Sequence, residues 1–286
     1  MGYKPVRKTA LLQELILTFG FCMTNSFSLA ILGAVAREVD ALLPLFDDAK
    51  RHDLHGAPIW TGLYKGRRLI VGAAGFNKVN AAITTSALLE QFAIAEVWCI
   101  GCAGAYNEGP LRVGDVLVSE RMICGDEGVL TERGILSCAE TGIPILTRGA
   151  DNWYDEIPVD SEVLRRARDR TPSGERTGRA ELQSAIVPDK PDNAHNPARE
   201  FHVFFGASLT VGMASGDASV AKERFRRYGA FAENMEGSAI AQACFRFQTP
   251  MIECRGVSNM AGDRRKERWE MDKAIANSHA VIFDWL

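Results

Sequence analysis

The feature that most constrains this chain is an alternation repeated from Ser28 onward: short apolar runs rich in β-formers, most ending in small residues, alternate with runs of helical spacing. "SLAILGA", "RRLIVGAAG", "EVWCIG", "VLVSERMI", "FHVFFGASLTVGM" and "PMIECRGVSN" read as strands. "REVDALL", "VNAAITTSALLEQF", "SEVLRRARDR", "SVAKERFRRYG", "MEGSAIAQACFRF" and "ERWEMDKAIANSHAVIFDWL" read as helices. Strands buried on both faces are continuously apolar, and intervening helices supply the cover. The pattern therefore predicts an α/β fold, a single domain with a mixed, twisted β-sheet core flanked by helices. Val79, Ile83, Ala87 and Leu88 share one side of their helix and are expected to face the core, as are Ala239, Ile240, Ala243, Cys244 and Phe247 of theirs.

No internal repeat or linker divides the chain. Residues 1–27 read as an extension outside the fold, and 28–286 as the domain. Lys4, Arg7 and Lys8 precede an apolar stretch that looks like a signal peptide, but Gln13 and Glu14 interrupt it and no small-residue cleavage site follows. Met23, just before the first strand, is a candidate start. Residues 171–200, rich in Pro, Asp, Asn, Arg and Ser, read as a mobile surface loop.

Charge narrows the partners. With 33 Lys+Arg against 36 Asp+Glu the net is −3, so no basic field is available for nucleic acid or an anionic membrane, and a small-molecule partner is expected. Seven cysteines, mostly inside apolar runs, read as reduced thiols in a cytoplasmic protein. Cys99 and Cys102 have C-x-x-C spacing, yet a redox pair normally opens a helix, and this one closes a strand. The five histidines form no ligand-spaced cluster, so neither a metal nor a cofactor is expected.

Ligands of open α/β sheets sit beyond the carboxyl ends of strands. That rule selects Gly33 to Glu38, Gly75 to Lys78, Gly101 to Tyr106, Ser215 to Asp217, and Ser258 with Asn259. Each admits a local account. Glu38 and Glu236 complement helix N-termini, Asn234 is an N-cap, Asp217 caps the following helix, and Asn259 satisfies a turn.

Their order along the chain adds a resemblance. "ILGAVAREV", "AAGFNKVNAA", "IGCAGAYNEGPLRVGDVLVS", "ASGDASVAKERFRRYGAFAENMEGSAIAQAC" and "IECRGVSNMAG" together resemble the purine nucleoside phosphorylase and nucleosidase superfamily over most of Leu29 to Gly262. The resemblance implies a homo-oligomeric enzyme that cleaves a purine nucleoside. It places Glu236 under the ribose, accepting from the 2′ and 3′ hydroxyls, with Met235 as an apolar wall and Ala34 as a further substrate contact. Glu38 matches the carboxylate that deprotonates the attacking water, a role that contributes roughly 10²–10⁴-fold. A phosphorylase needs arginines around its nucleophilic anion; "WCIG" holds no cation, and Glu38 beside Arg37 would repel phosphate, so water is expected.

Asn259 stands where adenine-releasing members have Asp. An amide can donate to a 6-oxo oxygen and accept a proton carried on N7, which points to hypoxanthine as leaving group. "GDEGV", "AENMEG", "RGVSN" and "DRRKERW" narrow the resemblance to futalosine hydrolases of menaquinone biosynthesis. Their substrate carries an aromatic carboxylate, for which Arg264, Arg265 and above all Arg268 are candidate partners. Asp217 is placed at the base pocket, Asp126 and Glu127 in loop structure, and Phe76 in the core; Tyr106 is left open between stacking and core. The alternatives are a nucleosidase or phosphorylase for a methylthioadenosine- or inosine-type nucleoside, a binding protein without turnover, and a redox protein using Cys99 and Cys102.

Overall fold

The computed structural model describes residues 26–132, 134–171, 175–177 and 200–286. Its principal strands are β1 (Leu29–Gly33), β2 (Asp47–Leu54), β3 (Ala57–Tyr64), β4 (Arg67–Ala73), β5 (Val97–Ala105), β6 (Val116–Cys124), β7 (Glu200–Thr210), β8 (Ala232–Asn234) and β9 (Met251–Met260). Its principal helices are α1 (Asn77–Gln91), α2 (Ser161–Arg170), α3 (Ala218–Tyr228), α4 (Gly237–Phe247) and α5 (Met271–Trp285).

The sheet is mixed. From its outer edge β2, β3 and β4 run antiparallel, then β4, β1 and β5 run parallel. Beyond β5 the sheet curls on itself. β5 pairs with β9 and with β8, β8 with β7, β7 with β6, and β6 with β9, so these five strands close a ring.

The two-residue period of a strand explains how both faces are filled. From β1, Ala30 and Leu32 join Ile70, Ala81, Leu88 and Ile240 beneath α1 and α4. Leu29 and Ile31 point the other way, to Leu69, Trp98, Ile252, Val281 and Trp285 beneath α5. Trp98 and Trp285 meet edge to face at 5.5 Å. Phe27 is buried in the first of these clusters, so the fold begins before residue 28.

Three expectations are corrected. The helix over "REVDALL" is two 3-10 segments, Ala36–Glu38 and Asp40–Leu45, the second containing Pro44, which has no N–H to extend it. "CAGA" is the end of β5, not loop, because β8 and β9 pair with it on both sides. In α1, Leu88 is buried and Ala87 packs against the core as expected, but Val79 and Ile83 are exposed, and Ala81, Thr84, Thr85 and Leu89 face inward in their place. Phe247 is likewise partly exposed, while Ala239, Ile240, Ala243 and Cys244 are buried as expected. Gly229 ends α3 in the left-handed conformation, φ 61°. The segment 171–200 lies for the most part outside the described residues, as do 1–25.

Candidate active site

A cleft of about 360 Å³ opens where the strand-end rule places it, at the carboxyl ends of β1, β4, β5, β7 and β9. Ala34, Glu38, Met235, Glu236 and Asn259 line it, so five of the seven expected site residues converge.

Glu38 ends the first 3-10 turn and is buried. Its Oε2 accepts from the Ala34 and Val35 N–H groups at 2.6 and 3.3 Å, and its Oε1 from the Cys102 N–H at 2.8 Å. This demands a glycine at Gly101. Its φ is +139°, and a Cβ there would overlap Oε1 of Glu38 and lie 2.8 Å from a terminal nitrogen of Arg255.

Glu236 is itself the N-cap of α4, the place expected of Asn234, whose Oδ1, two residues further back, accepts from the Glu236 and Gly237 N–H groups at 3.2 and 2.8 Å. Oε1 of Glu236 accepts from the Asn77 N–H at 3.0 Å. Burial pushes the Glu236 carboxyl above the usual glutamate range, against the pull of Arg255 and of the Asn77 N–H.

Beneath both carboxylates lies Arg255, which the sequence reading missed. It is 1% exposed, and it closes on Cys99 and Ile100 from the neighbouring strand, supplying the cation that "WCIG" lacks. Three of its five N–H groups are bonded within the protein, and a fourth contact is an ion pair. Nε meets Glu253 at 2.9 Å, Nη1 meets the Ile100 carbonyl at 3.3 Å and lies 4.0 Å from Glu236, and Nη2 meets Cys99 Sγ at 3.1 Å. Glu253 in turn accepts from Ser119 and Ser208 hydroxyls and the Asn234 amide. One guanidinium thus faces three buried carboxylates. Such a site favours positive charge developing above it and disfavours an anionic nucleophile. The signal was there: Glu253 and Arg255 are two apart in an apolar strand, hence on one face.

Asn259 reaches the cleft through a bulge. Val257 pairs with Ala103 but Asn259 with Gly104, so Ser258 is the extra residue that re-aims the strand end. Asn259 Oδ1 accepts from the Ser258 hydroxyl at 2.8 Å, and Nδ2 donates to the Met260 carbonyl at 3.1 Å. One acceptor site and one N–H therefore remain for a ligand.

Two expected residues stand elsewhere. Asp217 caps α3, accepting from the Ser219 and Val220 N–H groups, and does not line the cleft. Arg268 lies on Asp263 at 3.4 Å, and Arg265 holds the same carboxylate at 2.7 Å. Arg264 alone of the three lines the cleft, its guanidinium 4.8 Å from the centre of the Trp269 ring. Phe76, expected in the core, is 56% exposed at the cleft mouth. Tyr106 is core: it is buried and donates to Glu233 at 2.9 Å. Asp126 and Glu127 both hold Lys78, at 2.5 and 2.9 Å, tying the loop after β6 to the start of α1. Cys99 and Cys102 are free thiols, each pushed up by burial, the opposite of an activated redox cysteine.

A ring of strands, buried carboxylates at the cleft above it, a cleft of nucleoside size and a buried guanidinium that faces those carboxylates define an enzyme site for a small polar ligand. Residues 28–284 match the phosphorylase superfamily, and the chain belongs to that family. It is 28% identical to a 5′-methylthioadenosine/S-adenosylhomocysteine nucleosidase of Mycobacterium bovis, over 82% of this chain and 86% of that one. It is 29% identical to a futalosine hydrolase of Thermus thermophilus, over 78% and 84%. Among solved structures, the methylthioadenosine/S-adenosylhomocysteine nucleosidase of Colwellia psychrerythraea in complex with adenine superposes with a TM-score of 0.70 at 23% identity, covering 91% of this chain and 94% of that one.

Proposed function

We propose that this enzyme is a purine nucleosidase that hydrolyses the N-glycosidic bond of a 6-oxopurine nucleoside of the futalosine type, releasing hypoxanthine. Nucleosidases and a futalosine hydrolase among its relatives support the reaction class. Asn259 carries the choice of base. With its Oδ1 half used by Ser258 and its Nδ2 half used by Met260, it offers one donor for O6 and one acceptor for a proton on N7.

In this reading Glu38 takes a proton from water at the cleft floor, and its three backbone donors keep it aimed there. Glu236 accepts from the ribose hydroxyls, and the buried negative charge favours the oxocarbenium character that grows as the bond breaks. Met235 walls the sugar. Arg264, against Trp269 at the rim, meets the carboxylate of the 5′ extension, in place of Arg268. The free thiols suit a cytoplasmic enzyme, and among the described residues no helix is long and apolar enough to cross a membrane.

Chromatography of base release, without phosphate, tests this with futalosine and methylthioadenosine as paired substrates. Hypoxanthine from futalosine alone is expected; adenine from methylthioadenosine alone would overturn the base assignment, and release only on adding phosphate would overturn the hydrolase. Asn259→Asp is expected to shift the ratio of kcat/KM toward adenine nucleosides, since a protonated Asp donates to N7 and accepts from a 6-amino group; an unchanged ratio refutes the role of the amide.

A further inference from the structure

We propose that His279, on the terminal helix α5, is a positioning residue for the catalytic carboxylate: it holds the backbone carbonyl of Glu38 and so fixes the turn from which that side chain enters the cleft. The inference rests on the reading of Glu38 as the base.

Nε2 of His279 lies 2.8 Å from the Glu38 carbonyl oxygen. A carbonyl only accepts, so Nε2 carries the proton. The ring is fully buried, and burial takes its pKa down to about 4, so at neutral pH Nδ1 is a bare acceptor. Among the described residues Nδ1 finds no partner. An orphaned buried nitrogen costs stability, and a phenylalanine would fill the same space without it. Packing does not explain a histidine here; the donated hydrogen bond does.

The turn needs such an anchor. Ala36–Glu38 is a single 3-10 turn, held internally by the Glu38 N–H to Val35 and the Val39 N–H to Ala36. The Glu38 carboxylate adds local bonds from the Ala34 and Val35 N–H groups, and the remaining ties come from outside. A second tie runs to the same helix, because Arg37 donates to Asp272 at 2.7 and 3.2 Å, but that pair is exposed and contributes less. Helix α5 also sends Met271 into the cleft wall. The last helix of the chain is thus a platform for a base carried just after the first principal strand.

The test compares His279→Phe, which fills the site without a donor, with His279→Gln, which keeps an N–H at similar reach. Readouts are kcat and KM on the nucleoside that the wild type cleaves, with the thermal midpoint of each variant. His279→Phe is expected to lower kcat roughly 10- to 100-fold, the scale set by small displacements of a catalytic group, with KM unchanged and the protein still folded at the assay temperature. His279→Gln is expected to recover most of that loss. Wild-type kcat in His279→Phe, or an equal loss in His279→Gln, overturns the proposal; His279→Leu serves as the donor-free variant if the phenylalanine does not fold. Absence of base release by the wild type removes the hydrolase reading and this proposal together, whereas release by the wild type and an indifferent His279→Phe removes this proposal alone.

Discussion

Glu38 is gripped at both ends, its carboxylate by three backbone N–H groups and its carbonyl by His279. Glu38→Gln keeps the shape but sets an amide NH₂ against one of those donors, at a cost of about 1–3 kcal/mol in stability. Turnover is expected to fall ~10²–10⁴-fold while nucleoside binding survives, a split that single-turnover kinetics and equilibrium binding resolve. Acid is expected to act on Glu236 and on His279. The acid limb of kcat/KM is expected above 4.5, the ordinary glutamate value, because burial raises Glu236 and its ionised form is the one that accepts both hydroxyls; a midpoint at or below that value in the pH profile counts against its role. His279 bears on stability. Between its unfolded value of 6.5 and its folded value of about 4 the unfolded chain binds a proton that the folded one does not, so stability present above this window is lost as pH falls through it. Thermal melts across the window are expected to show that loss, and to show less of it in His279→Phe. Glu38 and Asn259 were legible because each stands just past an apolar run, and Glu236 because it stands where an apolar helical run begins within a stretch that resembles the superfamily. Arg255 and Glu253 showed only as two charges on one face of an apolar strand; that they lie under the cleft was not legible, since only the pairing of β9 with β5 carries the guanidinium to Cys99.

At the scale of elements, β5 shows why propensity misleads. "CAGA" has the small residues of a loop, yet it stays in the sheet because β8 and β9 hold it on both sides. Gly101, the residue before it, is what lets two side chains from elsewhere meet. Gly101→Ala combines backbone strain of about 1–3 kcal/mol with a methyl driven into Glu38. The expected result is a less stable protein with little activity, checked by thermal melts and base release together; a stable, active variant would show that Glu38 can work from another position. The bulge at Ser258 was equally hidden, because an extra residue in one strand is defined only by its partner. In α1 the core face is rotated from the expected one: Leu88 and Ala87 meet the core, but Ala81 and Thr85 turn inward and Val79 and Ile83 stay outside.

At the scale of the whole molecule, that outward stripe bears on assembly. Phe76, Val79 and Ile83, at spacings of three and four, are 56, 69 and 57% exposed, and Phe76 also lines the cleft. A second copy covering the stripe is the reading in keeping with the expected homo-oligomer, and Ile83→Glu is expected to yield monomers by analytical ultracentrifugation; a monomeric wild type would end it. The alternation of strands and helices was enough to read the α/β class, because it reflects burial on both faces. The closure of β5, β9, β6, β7 and β8 into a ring was not, because it depends on which strand meets which. That ring has no free edge, so no strand in it can peel away alone. Its amides exchange hydrogen with solvent only when the domain opens as a unit, whereas β2, paired on one side only, opens locally. The slowest amides of this protein therefore report its global stability, and the loops above the ring are where a bound nucleoside slows exchange first.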